Sequence, residues 1–271
     1  MIPERRYREA PDEGDPTCAP GTVTTTSLLL SVLATAASAT PAEAGGAACR
    51  GVPATIVGTD RGETLRGTPG RDVVLARGGP DTIVASGGND RVCAGRGYDV
   101  LLGGVGDEDL HGGPDGVVAR EDQYGDELTG GPGDDLLDGG TGVQGNRGYD
   151  ILRYPDATAG VVVDLGRGTA RTGDQRDIVR SIEEVEGTPH DDVLRGDEHY
   201  NFLGGYRGDD RLYGRGGRDF VFTDADDDEA YGGPGDDLLD GGSGTDAAFG
   251  GSNGRQGDDC RSFEQVAGCE I

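Results

Sequence analysis

Aspartates recur along this chain on a nine-residue grid: Asp72, Asp81, Asp90 and Asp99, then Asp126 and Asp135, then Asp192, Asp210, Asp219, Asp228, Asp237 and Asp246. Each closes a six-residue run, mostly rich in glycine, and most stand two places before a large apolar residue. Gly130–Asp138 reads GGPGDDLLD, and Gly232–Asp240 repeats it letter for letter. Glycine at the first, second and fourth places allows positive φ and close backbone approach. Such a turn also bares its carbonyl oxygens. A carboxylate beside bare carbonyls is the donor set of a hard cation such as calcium, which takes about six to eight oxygens.

The elements that position these groups are short. After each aspartate comes a three-residue stretch whose middle residue is apolar: Val74, Ile83, Val92, Leu101, Leu110, Leu128 and Leu137. Alternation along a strand points that side chain inward and its neighbours outward. Looser copies of the phrase are GTPGRDVVL from Gly67, ARGGPDTIV from Ala76, ASGGNDRVC from Ala85 and AGRGYDVLL from Ala94.

The shared pattern, G-G-x-G-x-D-x-U-x with U apolar, resembles the hemolysin-type (RTX) calcium-binding repeat family. The resemblance covers most of the chain after residue 50. It implies an all-β fold, a right-handed parallel β-roll in which two phrases form one coil of about 18 residues and calcium lies in the turns. Same-side turns are then 18 apart. Asp72 and Asp90 share one side, followed on this arithmetic by Glu108 and Asp126; Glu63, Asp81 and Asp99 share the other. Further on, Asp192, Asp210, Asp228 and Asp246 form one file, and Asn201, Asp219 and Asp237 the opposite one. Each calcium is expected between stacked turns of one file, bridging two carboxylates. Asp150 is a further expected ligand, 15 residues after Asp135 because the register slips by three.

Composition agrees with this chemistry. The 271 residues include 53 Gly and 51 Asp+Glu against 24 Lys+Arg, for a net charge of −27. Only 33% are apolar, and Trp is absent. Low hydrophobicity with high net charge predicts disorder without a partner, and the partner that fits is a multivalent cation. Roughly ten calcium ions would offset about 20 charges. The acidic balance argues against nucleic acid, which needs Lys and Arg.

Residues 1–44 read as an export leader. Arg5, Arg6 and Arg8 supply a charged start, Ser27–Ala39 a short apolar run, and Ala42, Glu43 and Ala44 an A-x-A cleavage site. The run is too short to span a bilayer as a helix. The long polar gap before Ser27 leaves open a true start further along, and with it a disordered N-terminus instead of a leader. Secretion into the extracellular medium is the expected destination. Removing the leader removes Cys18 and leaves Cys49, Cys93, Cys260 and Cys269, an even count that implies disulfides in an exported chain. In a roll, Cys49–Cys93 and Cys260–Cys269 are the expected pairs, stapling its two ends. The family's secreted members open and close similarly, here with Cys49–Thr59 and with Asp258 to Cys269-Glu270. Lipid attachment at Cys49 is the alternative, but Gly46-Ala47-Ala48 lacks the leucine such a site wants. Zinc is disfavoured because no Cys-x-x-Cys occurs.

The expected organisation is a leader (1–44), an N-terminal cap with a first repeat block (45–153), a non-repeat interlude (154–186), a second block (187–249) and a polar C-terminal cap (250–271). Val52–Val57 is read as a strand covering the open end. In Gly112–Arg120, Val117 stands where the aspartate belongs, so one site is expected to be lost there. The interlude is read as longer strands that extend the solenoid or pack beside it, or as a small module of its own.

Catalysis finds no support. His111, His190 and His199 form no H-E-x-x-H site, and no G-x-S-x-G elbow occurs. His190 and His199 fall at non-ligand turn positions. Two functions remain: a stand-alone secreted calcium-binding protein, not an enzyme, or a calcium-dependent adhesin or matrix scaffold with an extracellular or cell-surface partner that the sequence does not name. A non-catalytic relative of an RTX hydrolase tail is less favoured.

Overall fold

A computed structural model describes residues 46–115, 125–142, 149–252 and 257–269. The export leader, its A-x-A site and Val117 lie outside the described residues.

The described chain winds back and forth between two sheets, so that successive strands alternate between them. One sheet holds β4 (Thr64–Arg66), β6 (Thr82–Gly87), β8 (Val100–Val105), β10 (Glu127–Thr129), β12 (Ile151–Arg153), β16 (Glu184–Glu186), β18 (Phe202–Gly204), β20 (Phe220–Phe222), β22 (Leu238–Asp240) and β24 (Asp259–Arg261). The other holds β3 (Ile56–Val57), β5 (Val73–Gly78), β7 (Arg91–Arg96), β9 (Asp109–Pro114), β11 (Leu136–Thr141), β13 (Val161–Asp164), β14 (Thr169–Thr172), β15 (Gln175–Arg180), β17 (Val193–Arg195), β19 (Arg211–Tyr213), β21 (Glu229–Tyr231), β23 (Ala247–Phe249) and β25 (Gln265–Ala267). Pairing is parallel throughout both sheets except around β14. This is the parallel β-roll that the phrase implies.

The core is one large apolar residue wide in most strands, with a buried alanine beside it in β5, β6 and β7. Val74, Ile83, Leu101, Leu110, Leu128, Leu137, Leu194, Leu203, Leu212, Val221 and Leu239 are fully buried. Register stacks like on like, Ile83 on Leu101 and Leu212 on Ala230. A core this thin leaves the backbone ladders and the turns to hold much of the fold, as in other stacked-repeat proteins.

The interlude extends the roll. β13, β14 and β15 form an antiparallel meander inside the second sheet. β15 pairs parallel with β11 before it, and β13 with β17 after it. The same stretch contributes β16 to the first sheet.

Two features of the ends differ from expectation. Only β3 closes the open end, by pairing with β5. A separate hairpin, β1 (Ala48–Cys49) with β2 (Val52–Pro53), packs by way of Cys49 and Val52 against the outward residues Val73, Leu75 and Cys93 of the second sheet. Cys49 bonds Cys93, and Arg50 reaches Asp138 on β11 at 3.0 Å. At the other end the expected polar cap carries two further strands, because β24 and β25 continue both ladders. Cys260 takes the inward place there, and it bonds Cys269.

Candidate metal sites

Every expected aspartate occupies the turn immediately before a strand, and each is buried. A single bond type arranges them. The backbone N–H of one acidic residue donates to the carboxylate Oδ1 of the acid in the next coil. On the second-sheet side Asp72 donates to Asp90 (2.7 Å), Glu108 to Asp135 (2.9 Å) and Asp135 to Asp177 (3.1 Å). A new file there runs from Asp192 to Asp210 (2.7 Å), Asp228 (2.8 Å), Asp246 (3.0 Å) and Glu264 (2.7 Å). On the first-sheet side the file is Glu63, Asp81, Asp99, Asp126, Asp150 and Glu183. It resumes as Asn201, Asp219, Asp237 and Asp258.

These files correct one expectation. Asp126 does not follow Glu108; it stacks on Asp99, 27 residues earlier. β8 pairs with β10 and β9 with β11 at the same 27-residue offset, one nine-residue phrase more than the 18 of a regular coil. The extra phrase keeps the grid but exchanges the sides.

Asp177, Glu183, Asp258 and Glu264 complete the files and were not on the expected ligand list. Each opens an acid-x-apolar run (Asp177 to Val179, Glu183 to Val185, Asp258 to Cys260, Glu264 to Val266), and that is the signal that could have found them. Asp177, Glu183 and Glu264 lack the glycine-rich turn, whereas Asp258 keeps a glycine cradle: a Cβ on Gly250 would strike its carboxylate and the Gly268 carbonyl.

The second carboxylate oxygen separates two kinds of aspartate. Oδ2 of Asp81, Asp90, Asp99, Asp126, Asp150, Asp210, Asp219, Asp228, Asp237 and Asp246 is buried and makes no hydrogen bond. Asp72 and Asp192 differ because their phrases carry Thr in the second place. Thr68 donates its N–H and its hydroxyl to Asp72 (2.6 and 2.8 Å). Thr188 does the same for Asp192 (2.6 and 3.0 Å), and Val161 N–H adds a further bond. These two carboxylates are engaged by the protein itself at the start of a file. At the end of another, Tyr154 hydroxyl donates to Asp177 (3.2 Å).

Where glycine takes the first place, it makes room for the bare oxygen; the phrases of Asp81, Asp90 and Asp99 have alanine there instead. A Cβ on Gly214 would run into both the Asp219 carboxylate and the Gly232 carbonyl, so the two oxygens converge on the space the missing side chain leaves. Positive φ is instead a property of places two and four, as at Gly217 (φ 118°).

Burial of an unpaired carboxylate disfavours its charge. Burial, opposed by the backbone hydrogen bond, raises Asp210 and Asp219 to about 8, Asp99 and Asp228 to about 7, and Asp81 and Asp237 to about 6. Asp150 rises to about 8 and Asp126 to about 10, again through burial and then through acidic neighbours. Stacked buried acids with orphaned oxygens, flanked by carbonyls, require either protons or a cation. The donor set is all oxygen, which suits calcium over softer metals.

The model of the RTX calcium-binding nonapeptide repeat matches residues 57–92, 94–116, 122–143, 186–221 and 222–254, more than half of the chain. This chain belongs to that family. It is a calcium-binding repeat protein. No curated protein matches it. The matched segments stop short of the meander and of β24 and β25, so the RTX pattern identifies the glycine turns while the ladder extends beyond them. Among the described residues no helix is long and apolar enough to cross a membrane.

Both disulfides join the expected cysteines, Cys49 to Cys93 and Cys260 to Cys269. His190 and His199 are exposed turn residues. His111, which had no expected role, is buried between Asp109 (2.5 Å) and Asp138 (3.5 Å) on the outer face of the second sheet.

Proposed function

We propose that this RTX protein is secreted and that its roll forms on binding several calcium ions outside the cell. The observation that carries the reading is the row of buried, unpartnered Oδ2 atoms, of which those of Asp126, Asp150, Asp210, Asp219, Asp237 and Asp246 converge with a turn carbonyl on the space beside a glycine. Asp81, Asp90, Asp99, Asp126, Asp135 and Asp150 would hold calcium in the first block, and Asp210, Asp219, Asp228, Asp237 and Asp246 in the second. Asp72 and Asp192 serve chiefly to cap their files. Bound calcium supplies positive charge to carboxylates that have no basic partner in the turn.

Without the ion, a net charge of −27 keeps the chain expanded. Extracellular calcium modules bind in the range of about 10⁻⁴–10⁻³ M, which matches a switch thrown on leaving the cell. Two disulfides fit an oxidising compartment, and the apolar run with its A-x-A site fits a cleaved leader. The chain acts as a binding and folding module without catalysis, because the paired acids are accounted for by calcium and the histidines form no site.

Equilibrium dialysis against calcium tests the site assignment. Asp210→Ala is expected to lower the number of ions bound and to loosen the second block. An unchanged stoichiometry would remove Asp210 from the ligands.

A further inference from the structure

The phrase Gly112–Arg120 was expected to cost the protein a site, because Val117 replaces its aspartate. The structure places another acid of that phrase at the file. Asp115 stands in the fourth place, where regular coils carry a glycine such as Gly97 or Gly208. Its N–H donates to the Thr141 carbonyl (3.0 Å), which ties the residue after β9 to the last residue of β11. One carboxylate oxygen from each of Asp115, Asp126 and Asp150 lies within 4.8 Å of the others.

Three further observations point to a ligand there. Asp126 and Asp150 are fully buried, and Oδ2 of each makes no hydrogen bond. Oδ1 of Asp115 is likewise buried without a partner. The cradle is the same absence of side chain used elsewhere: a Cβ on Gly112 would strike the Asp126 carboxylate and the Gly139 carbonyl, and one on Gly139 the Asp150 carboxylate and the Ser181 carbonyl. The charges acting on Asp126 and Asp150 come from acids, namely Asp99, Asp115, Asp138 and Glu183 besides each other. Among the described residues, none of these charges is basic.

We propose that Asp115, Asp126 and Asp150 form a three-carboxylate calcium site, distinct in kind from the stacked-turn sites and the tightest in the chain. A regular site brings two file carboxylates together with turn carbonyls; here a third carboxylate joins them. Affinity of oxygen sites for calcium rises with the number of charged ligands, so this site fills first as calcium rises. The phrase thus replaces its missing turn aspartate by a different route. The inference rests on the calcium reading above.

Calcium calorimetry on the full chain tests it, with Asp219→Asn as the comparison. Asp115→Asn and Asp115→Gly, the latter restoring the residue usual at that place, are each expected to lose one ion from the tightest class and to keep the rest. Asp219→Asn should lose an ion from the weaker class. Circular dichroism at saturating calcium checks that each variant folds, and two different replacements guard against a defect peculiar to one. If both Asp115 variants titrate like the parent while Asp219→Asn loses its ion, the three-carboxylate site is wrong and the calcium reading stands. If the parent takes up no calcium, both fall.

Discussion

From Asp192 to Asp246, each amide of the file meets the carboxylate 18 residues further on. Between Asp99 and Glu183 the same bond spans 27, 24 and then 33 residues. The bonding geometry does not change between these regions; only the chain between ladder positions does. The unit that builds the roll is therefore an acid two places before an inward apolar residue, and the distance between units is free. Lengthening a surface connection costs little, about 0.6 kcal/mol per doubling, which is why the extra phrase and the meander are tolerated.

The two blocks also differ in how much protein holds them together. Strands β5 to β9 run six residues, with a second pairing stretch such as Arg77 with Gly95 and Gly78 with Arg96. They carry Ala76, Ala85 and Ala94 in the first place of the phrase, each fully buried. Strands β17 to β23 run three residues, and their turns add only isolated bridges such as Arg207 with Ala225 in place of a second pairing stretch. Glycine replaces alanine at Gly205, Gly214 and Gly232. The first block also carries the outer hairpin and its disulfide. Calcium therefore matters more to the second block.

The largest expected effect tests that asymmetry. As free calcium is lowered, amide exchange in peptides from 192–249 should accelerate at a higher calcium level than in peptides from 72–112, read by mass spectrometry. Simultaneous loss, or earlier loss in the first block, would break the comparison.

Acid should act as a weaker substitute for calcium. The turn aspartates have folded-state pKa values raised by burial, above the unfolded value of about 3.9. Protonated, they cost nothing to bury. The stability of the calcium-free roll is thus fully present below about pH 4 and is lost as pH rises through about 6 to 8, the range of Asp81, Asp237, Asp99, Asp228, Asp210 and Asp219. Calcium uptake near pH 6 should release protons. In chelator, far-UV circular dichroism at pH 5 should report more strand than at pH 8; the reverse order would contradict the burial of these acids.

A smaller effect separates the two staples. Cys49–Cys93 closes a separation of 44 residues and Cys260–Cys269 one of 9. On loop-closure entropy alone they contribute about 4 and about 3 kcal/mol. Urea denaturation at saturating calcium of the two double-serine variants should rank them in that order. An equal or inverted ranking would show that the hairpin adds little on the outer face.

Much of the roll was legible because its inward positions are so regular. Val74, Ile83, Leu101 and Leu137 each stand two places after an acid, and all are buried as the alternation requires. The side on which Asp126 falls was not legible, since an extra phrase leaves the nine-residue grid intact while exchanging the two sides. Asp177, Glu183 and Glu264 escaped because the glycine turn was taken as the mark of a ligand, whereas the ladder needs only the acid and the apolar residue after it. The different state of Asp72 and Asp192 turned on one hydroxyl each, Thr68 and Thr188, whose capping bonds appear only in three dimensions. The contribution of Asp115 depended on how the end of β9 lies beside the end of β11, a tertiary contact that spacing does not encode.

Far-UV circular dichroism of the chain, titrated with calcium and then with chelator, tests the central claim most directly. The account predicts a coil-to-strand transition at neutral pH that chelator reverses and that magnesium, smaller and held to octahedral geometry, does not reproduce. A strand spectrum indifferent to calcium would mean a preformed solenoid whose buried acids serve something else, and would contradict it.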